Sequence, residues 1–284
     1  MSTAALESVT FYVGVLTYLA ATSLSFAQIV RRGPGAPLAA WLLGAGAACH
    51  LAYITLASLV ARVCPVESVH FALSVASIVT AAAYLVARAF WRIDAVGAFV
   101  APIGLTFLLG TRFIGLGDVA KKLPPLFLTL HVAANLIGDA LFLLACLTAG
   151  LYLFAERRLK QKKLSSILGR LPPLDALDRA EHRFLLVGFP LLTMGIVTGT
   201  AWASRLESGA AGETLRAAFA YLTWLVFAAV LLLRSAAGWR GRRAALGTIA
   251  GFFFAVLVLV VYLVRPTPAR TPVVDAAPAA EVRG

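Results

Sequence analysis

The sequence predicts an all-α fold, a polytopic membrane helix bundle of about eight transmembrane helices with both termini outside. Its 284 residues are 61% hydrophobic and only 13% charged, whereas a soluble domain is nearer half apolar and a quarter charged. The apolar residues fall into eight runs of about the 20 residues that cross a hydrocarbon core. Lys and Arg residues concentrate in the segments between these runs, as topology selection favours.

The first four spans are each closed by charged or turn-forming residues. We expect them at about 10–30, 37–61, 69–90 and 95–113. Arg31 and Arg32 with a GPGAP turn close the first span, and Arg62 follows the second. The third span ends before a Trp-Arg-Ile-Asp loop, and the fourth contains Pro102, a predicted kink.

The first of the last four spans, the fifth, begins at a proline pair, Pro124 and Pro125, which suits the first turn of a helix. We expect these four spans at about 124–160, 183–203, 215–235 and 243–264, with a basic polar connector at about 156–182. Gly247 and Gly251 form a GxxxG pattern that permits close packing of the last span. Residues 1–265 are predicted to form the membrane domain. The Pro- and Ala-rich residues 266–284 are predicted to be a disordered periplasmic tail.

The positive charge predicts an orientation rather than a nucleic-acid partner. The formal net charge is +12, but the basic residues lie in short loops, so we expect no nucleic-acid binding. Most Lys and Arg residues fall on the side of the fifth–sixth connector, which predicts that this side is cytoplasmic. The protein is therefore expected to be multi-pass in a bacterial inner membrane, with the lipid bilayer as its environment.

A polar stripe on the fifth span is the strongest candidate site. His131, Asn135 and Asp139 recur every four residues and so share one helix face. Ionisable residues at membrane depth are costly and are functional candidates by default. Haem iron takes neutral imidazoles in an apolar pocket, and His131 can supply one; the alternative is a structural hydrogen bond. Asp139 needs a partner, and no second acid within a predicted span supports a proton relay.

The other histidines are weaker candidates. His50, near the middle of the second span, and His70, at the outer start of the third, can join His131 as haem ligands or make structural hydrogen bonds. His182 opens the sixth span and is expected to be solvated. No nucleophile elbow, Walker loop, HExxH motif or paired carboxylate site occurs in the sequence, so no enzymatic activity is predicted.

Several stretches resemble the cytochrome c assembly (CcsA/ResC) family of membrane haem-handling proteins. They are GAFVAPIGLTFLL, LHVAANLIGDALFLLACLTAGLYLFAERRLK, LPPLDALDRAEHRFLLVGFPLLTMGIVTGTAWA and YLTWLVFAAVLLLRSAAGWRGRRAALGTIAGF. They occur in the family order and cover well over half of the chain. GFPLLTMGIVTG and GWRGRRAA carry the most specific part of the resemblance.

The resemblance implies a haem role for His131, which matches an external histidine of the family, and His50 resembles an early intramembrane histidine. The chain departs from the family at the tryptophan-rich haem loop. Residues 200–213 stand in its place and keep only Trp202. Leu232 stands where the family has another histidine, and no histidine follows the last span. This pattern looks more like the HemX/YpjD branch.

We therefore expect a haem-handling accessory protein of cytochrome c assembly or haem metabolism, with haem as cofactor. Its predicted partners are other cytochrome c assembly membrane proteins or a haem-biosynthesis enzyme. The alternative is a haem-free membrane scaffold or regulator that binds such an enzyme through the basic connector.

Overall fold

The computed structural model describes residues 3–30, 36–61, 69–91, 93–114, 125–161, 171–203 and 211–264. The helices are α1 (Thr3–Val30), α2 (Ala36–Ala61), α3 (Val69–Phe90), α4 (Gly97–Ile114), α5 (Pro125–Lys160), α6 (Leu174–Ala203), α7 (Ala211–Ala236) and α8 (Arg242–Leu263). A 3₁₀ turn, Asp94–Val96, precedes α4, and no strand occurs in these ranges. Each helix is long and apolar enough to cross a membrane. The predicted all-α bundle of eight spans is confirmed.

The eight helices pack as two groups of four. Helices α1 to α4 contact one another, with α1 lying chiefly against α2 and α4. Helices α5 to α8 form a second group, in which α5 packs along α6 and α7 along α8. Helix α3 packs against α5 and joins the two groups. The buried apolar side chains of both groups form one continuous core.

Contacts between helix ends define the two sides of the bundle. The end of α7 meets the start of α6 through Arg234 and Asp178, and the start of α5 meets the end of α6 through His131 and Thr198. We call the first the connector side, because α5 ends and α6 begins there. The opposite side is the terminus side, where α1 begins and α8 ends. The basic residues predict that the connector side faces the cytoplasm.

The start of the sixth span was predicted too late. Helix α6 begins at Leu174, not at about 183, and Pro173 accepts the first backbone hydrogen bonds from Ala176 and Leu177. The extra turns are amphipathic: Leu177, Ala180 and Phe184 are buried on one face. Their charged neighbours led to the wrong assignment of these turns to a polar connector. These neighbours include two acids that lie within the helix.

Glycines allow the helices of the second group to approach closely around a pair of stacked rings. The rings of Phe142 and Phe227 are wholly buried, with centroids 4.3 Å apart. A Cβ atom on Gly188 of α6 would lie 2.8 Å from Phe142, and one on Gly251 of α8 would meet the Phe227 ring. Gly247 faces Val230 of α7 in the same way. The close packing predicted from the GxxxG spacing is therefore confirmed.

A methyl group at Gly251 is expected to destabilise the bundle. Gly251→Ala should lower the free energy of unfolding by about 1–3 kcal/mol, because the buried Phe227 ring must move. Gly150→Ala is the matched control, since nothing lies within 4 Å of a Cβ atom there. It should be neutral or stabilising by up to about 1 kcal/mol, because alanine is the better helix former. Thermal unfolding in one detergent compares them, and a Gly251→Ala midpoint at or above wild type would contradict the packing argument.

Candidate functional site

The predicted polar stripe forms a hydrogen-bonded site between α5 and α6 on the terminus side. His131 Nδ1 lies 2.8 Å from Thr198 Oγ1 of α6. Asn135 Nδ2 lies 3.1 Å from His131 Nε2 and donates to the His131 carbonyl oxygen at 2.9 Å. The ring is therefore held from both sides, by its own helix and by the neighbouring one.

These contacts assign the tautomer of the histidine. The Asn135 amide nitrogen can only donate, so His131 Nε2 accepts and carries the lone pair. In a neutral ring the proton is then on Nδ1, which donates to Thr198 Oγ1. The Thr198 hydroxyl donates onward to the Met194 carbonyl oxygen at 2.7 Å. This arrangement anchors Nδ1 and leaves Nε2 as the nitrogen that could bind a ligand if the Asn135 amide moved away.

Two glycines of α6 make room for these side chains. A Cβ atom on Gly195 would run into the Asn135 amide oxygen, and one on Gly199 would lie 3.1 Å from the His131 ring. The GIVTG segment therefore supplies space at both glycines and the anchoring hydroxyl at Thr198 between them. Arg216, near the start of α7, lies close enough for its charge to act on the His131 ring. The site thus combines an imidazole with a nearby cation.

Asp139 belongs to the same helix face but not to this network. Its carboxyl has no hydrogen bond or ion pair with any described residue. The helix around it is well packed, since Gly138 and Ala140 are both buried. Asn135 reaches His131 and does not connect it to Asp139. The structure therefore divides the predicted stripe into the hydrogen-bonded pair His131 and Asn135 and the separate carboxyl of Asp139, which lies two helical turns beyond His131.

His50 lies in the first group of helices, apart from His131. It is wholly buried in α2, with its ring edge-on to Tyr18 and its Nδ1 atom 3.5 Å from the Tyr18 hydroxyl. Its Nε2 atom is buried and has no partner among the described residues. The structure therefore does not bring His50 beside His131. A role for His50 in binding a cofactor stays a prediction.

Several predicted residues lie outside what the structure describes. The backbone of His70 begins α3 and that of Trp202 lies at the end of α6, but their side chains are outside the described residues. Three other predicted segments also lie outside the described residues: Lys162 and Lys163 of the connector, residues 204–210 of the stretch that replaces the tryptophan-rich loop, and the tail at 265–284. The predictions for these residues stay predictions.

A second polar cluster, not predicted from the sequence, joins α6, α7 and α8 on the connector side. Arg234 Nη2 donates to Asp178 Oδ2 at 2.5 Å and to the Asp178 carbonyl oxygen at 3.0 Å. The two side chains are only 7% and 10% exposed. The backbone N–H of Gly241 donates to Asp178 Oδ1 at 2.7 Å. Gly241 has φ +62°, which glycine adopts without strain, so the turn before α8 can present that N–H to α6.

Glu181 and Thr248 extend this cluster between α6 and α8. Glu181 is wholly buried, and its Oε1 atom accepts from the Thr248 hydroxyl at 2.6 Å. The prediction that no second acid lies within a span was therefore wrong, because α6 begins before Asp178 and Glu181. The Pro-Pro-Leu-Asp start and the spacing of Leu177, Ala180 and Phe184 were the signal that places these acids in a helix.

His182 is half-buried, and the expectation of a solvated interfacial role for it stays a prediction. It lies two turns inside α6, where its Nδ1 atom is buried without a partner among the described residues. It lines a cleft between α6 and α7. Throughout the described part of the chain, no three His, Cys, Asp or Glu side chains converge as ligands of a metal ion.

Eight membrane-length helices with buried polar contacts between them define a polytopic helical membrane protein. The family model described as Cytochrome C assembly protein matches residues 39–267, which include most of α2 and all of α3 to α8. The chain belongs to the cytochrome c assembly protein family, as the motif resemblance predicted. The finer assignment to the HemX/YpjD branch stays a prediction.

Curated relatives support the same family. The cytochrome c biogenesis protein CcsA of Gloeothece citriformis is 42% identical over 34% of this chain and 28% of its own length. CcsA of Prochlorococcus marinus is 30% identical over 48% of this chain and 49% of its own. CcsA of Heterosigma akashiwo is 30% identical over 61% and 64%. The chain thus spans between about a quarter and two thirds of these relatives, and no solved structure matches it.

Proposed function

We propose that this protein handles haem in cytochrome c biogenesis, binding it at His131 on the terminus side of the second helix group. The observation that carries the proposal is the anchored imidazole: Thr198 holds Nδ1, and the Nε2 lone pair accepts only the Asn135 amide, which a ligand could displace. Family membership and relatives named for cytochrome c biogenesis support the same role. Haem-handling in a bacterial inner membrane, with the connector side in the cytoplasm, is part of the proposal.

The residues of the site would hold a haem through one ligand atom, Nε2 of His131. Metal-binding histidines generally donate their other ring N–H to an oxygen that fixes the ring, as Thr198 does for His131. Haem also carries propionate carboxylates, and Arg216 supplies positive charge nearby. When bound, haem would be the cargo that is presented for attachment to an apocytochrome. In this proposal the protein orients one ligand atom, Nε2 of His131, and surrounds it with apolar helices.

Asn135 has a part in this proposal that the family resemblance does not include. Its amide occupies the lone pair of Nε2, so that bond must break before iron can bind there. Asn135 therefore provides the hydrogen-bond partner of this half-buried imidazole nitrogen when no haem is bound. A site that exchanges its ligand suits a protein that passes haem on. Other assembly membrane proteins, or a haem-biosynthesis enzyme, are the partners we propose for that exchange.

An absorption spectrum of the purified full-length protein tests the proposal. Protein from haem-replete cells is expected to carry a Soret band with the visible bands of imidazole-ligated haem. The control is the same protein from cells in which haem synthesis is blocked, to which added haem should restore the spectrum. Colourless protein from haem-replete cells that also fails to bind added haem would overturn the proposed function.

A further inference from the structure

A cleft of about 720 Å³ opens between α6 and α7 on the connector side. Its walls are apolar and come from Leu186 and Phe189 on α6 and from α7 residues between Trp224 and Leu232. Several of these side chains are exposed, and Leu232 is 65% exposed. Within a membrane-spanning bundle, exposed leucines of this kind face the bilayer.

The cleft has the depth of one leaflet. The stretch of α7 from Trp224 to Ser235 rises about 16 Å, and half of a hydrocarbon core is about 15 Å. At its deep end the cleft is closed where Trp224 Nε1 donates to Thr193 Oγ1 at 3.0 Å. The Trp224 ring also lies 5.4 Å from the Phe189 ring. The cleft therefore runs from near the membrane centre to the connector-side surface.

Positive charge surrounds the shallow end of the cleft. His182 lines that end, and Arg183, Arg234 and Arg240 are close enough for their charges to act on its ring. Arg234 is buried and paired with Asp178. Arg183 and Arg240 are exposed and form no ion pair with a described residue. The Arg183 guanidinium lies 4.9 Å from the centre of the Trp91 ring, a contact that leaves its charge without a counter-ion. Two cations are thus available at the surface where a lipid headgroup would lie.

We propose that this cleft is a binding site for an anionic phospholipid of the connector-side leaflet. Its acyl chain would lie along Leu186, Phe189 and Trp224, and its phosphate would lie against Arg183 and Arg240. An acyl chain matches the apolar walls and the depth, and basic pockets between helices favour anionic headgroups. The proposal is independent of the haem site, which lies at the opposite end of α6.

Trp224 provides the measurement, because it lines the deep end of the cleft. The full-length protein is reconstituted in equal mixtures of phosphatidylglycerol and phosphatidylethanolamine, with only one of them brominated along its acyl chains. The fluorescence quenching due to Trp224 is obtained by difference from Trp224→Phe. We expect brominated phosphatidylglycerol to quench at least about twofold more than brominated phosphatidylethanolamine, given the attraction of each arginine for anionic lipid.

Charge variants complete the test. In Arg183→Gln/Arg240→Gln the two lipids should quench Trp224 equally, and Arg240→Gln alone should give an intermediate ratio. Arg242→Gln/Arg243→Gln removes the same charge from exposed positions at the start of α8 and should keep the wild-type ratio. Equal quenching in the wild type, or equal loss in both double variants, would overturn the proposal. Absence of Trp224 quenching by either lipid would show another occupant, such as haem or a partner helix, and would also overturn it.

Discussion

Asp178→Leu is expected to lower the free energy of unfolding by about 3–5 kcal/mol, because it removes the carboxylate that forms the ion pair with the buried Arg234 guanidinium. The substitution also removes the acceptor of the Gly241 N–H. Arg234→Leu should cost a similar amount for the reciprocal reason. The double variant Asp178→Leu/Arg234→Leu should be more stable than either single variant, since no unpaired charge remains in it. Reversible unfolding in mixed micelles, followed by intrinsic fluorescence, measures all three.

The matched control lies one turn earlier on the same helix. Asp175 pairs with Arg179 four residues on, but both side chains are well exposed, at 72% and 58%. Asp175→Leu should therefore change the free energy of unfolding by no more than about 0.5 kcal/mol. If the double variant at Asp178 and Arg234 instead lost the sum of the two single losses, the buried pair would not be what joins α6 to α7.

The contrast between these two ion pairs shows what sequence reasoning could predict here. Eight spans were predictable because each apolar run is long enough to cross a membrane, and hydropathy is a local property. The start of α6 was not predictable in this way. Hydropathy assigns acidic residues such as Asp178 and Glu181 to loops, because it takes no account of contacts with other helices. Their partners are Arg234 and Thr248, on other helices, and only tertiary packing brings them beside the two acids.

The candidate site divides in the same way. The four-residue spacing placed His131 and Asn135 on one helix face, and their side chains do meet. The same spacing suggested that Asp139 belongs with them, but contact also depends on which rotamers neighbouring helices leave open. Thr198 comes from α6 and had no signal of its own in the sequence. The glycines on either side of it, Gly195 and Gly199, are informative only once α5 is known to pack there.

His131→Ala is expected to abolish haem binding at the terminus-side site, since the ligand nitrogen is lost. Added imidazole should restore part of the Soret band, because the cavity left by the ring can hold the free ligand. Thr198→Val keeps the ligand but removes the acceptor of Nδ1–H, and should weaken haem affinity about 10- to 100-fold. Haem titration of the purified protein measures each variant. Thr200→Val is the control, because its hydroxyl contacts Tyr221 at the same end of α6 rather than His131.

Asn135→Ala is expected to change haem affinity in the opposite direction. The amide donates to the nitrogen that iron would take, so haem must displace a hydrogen bond worth about 0.5–1.5 kcal/mol. Without that bond, affinity should rise about two- to tenfold. If instead Asn135 serves mainly to orient the ring, Asn135→Ala should weaken binding as Thr198→Val does. Whether haem affinity rises or falls in Asn135→Ala therefore shows which role the Asn135 amide has: competing with haem for Nε2 or positioning the His131 ring. A weaker Asn135→Ala site would contradict the exchange role proposed for it.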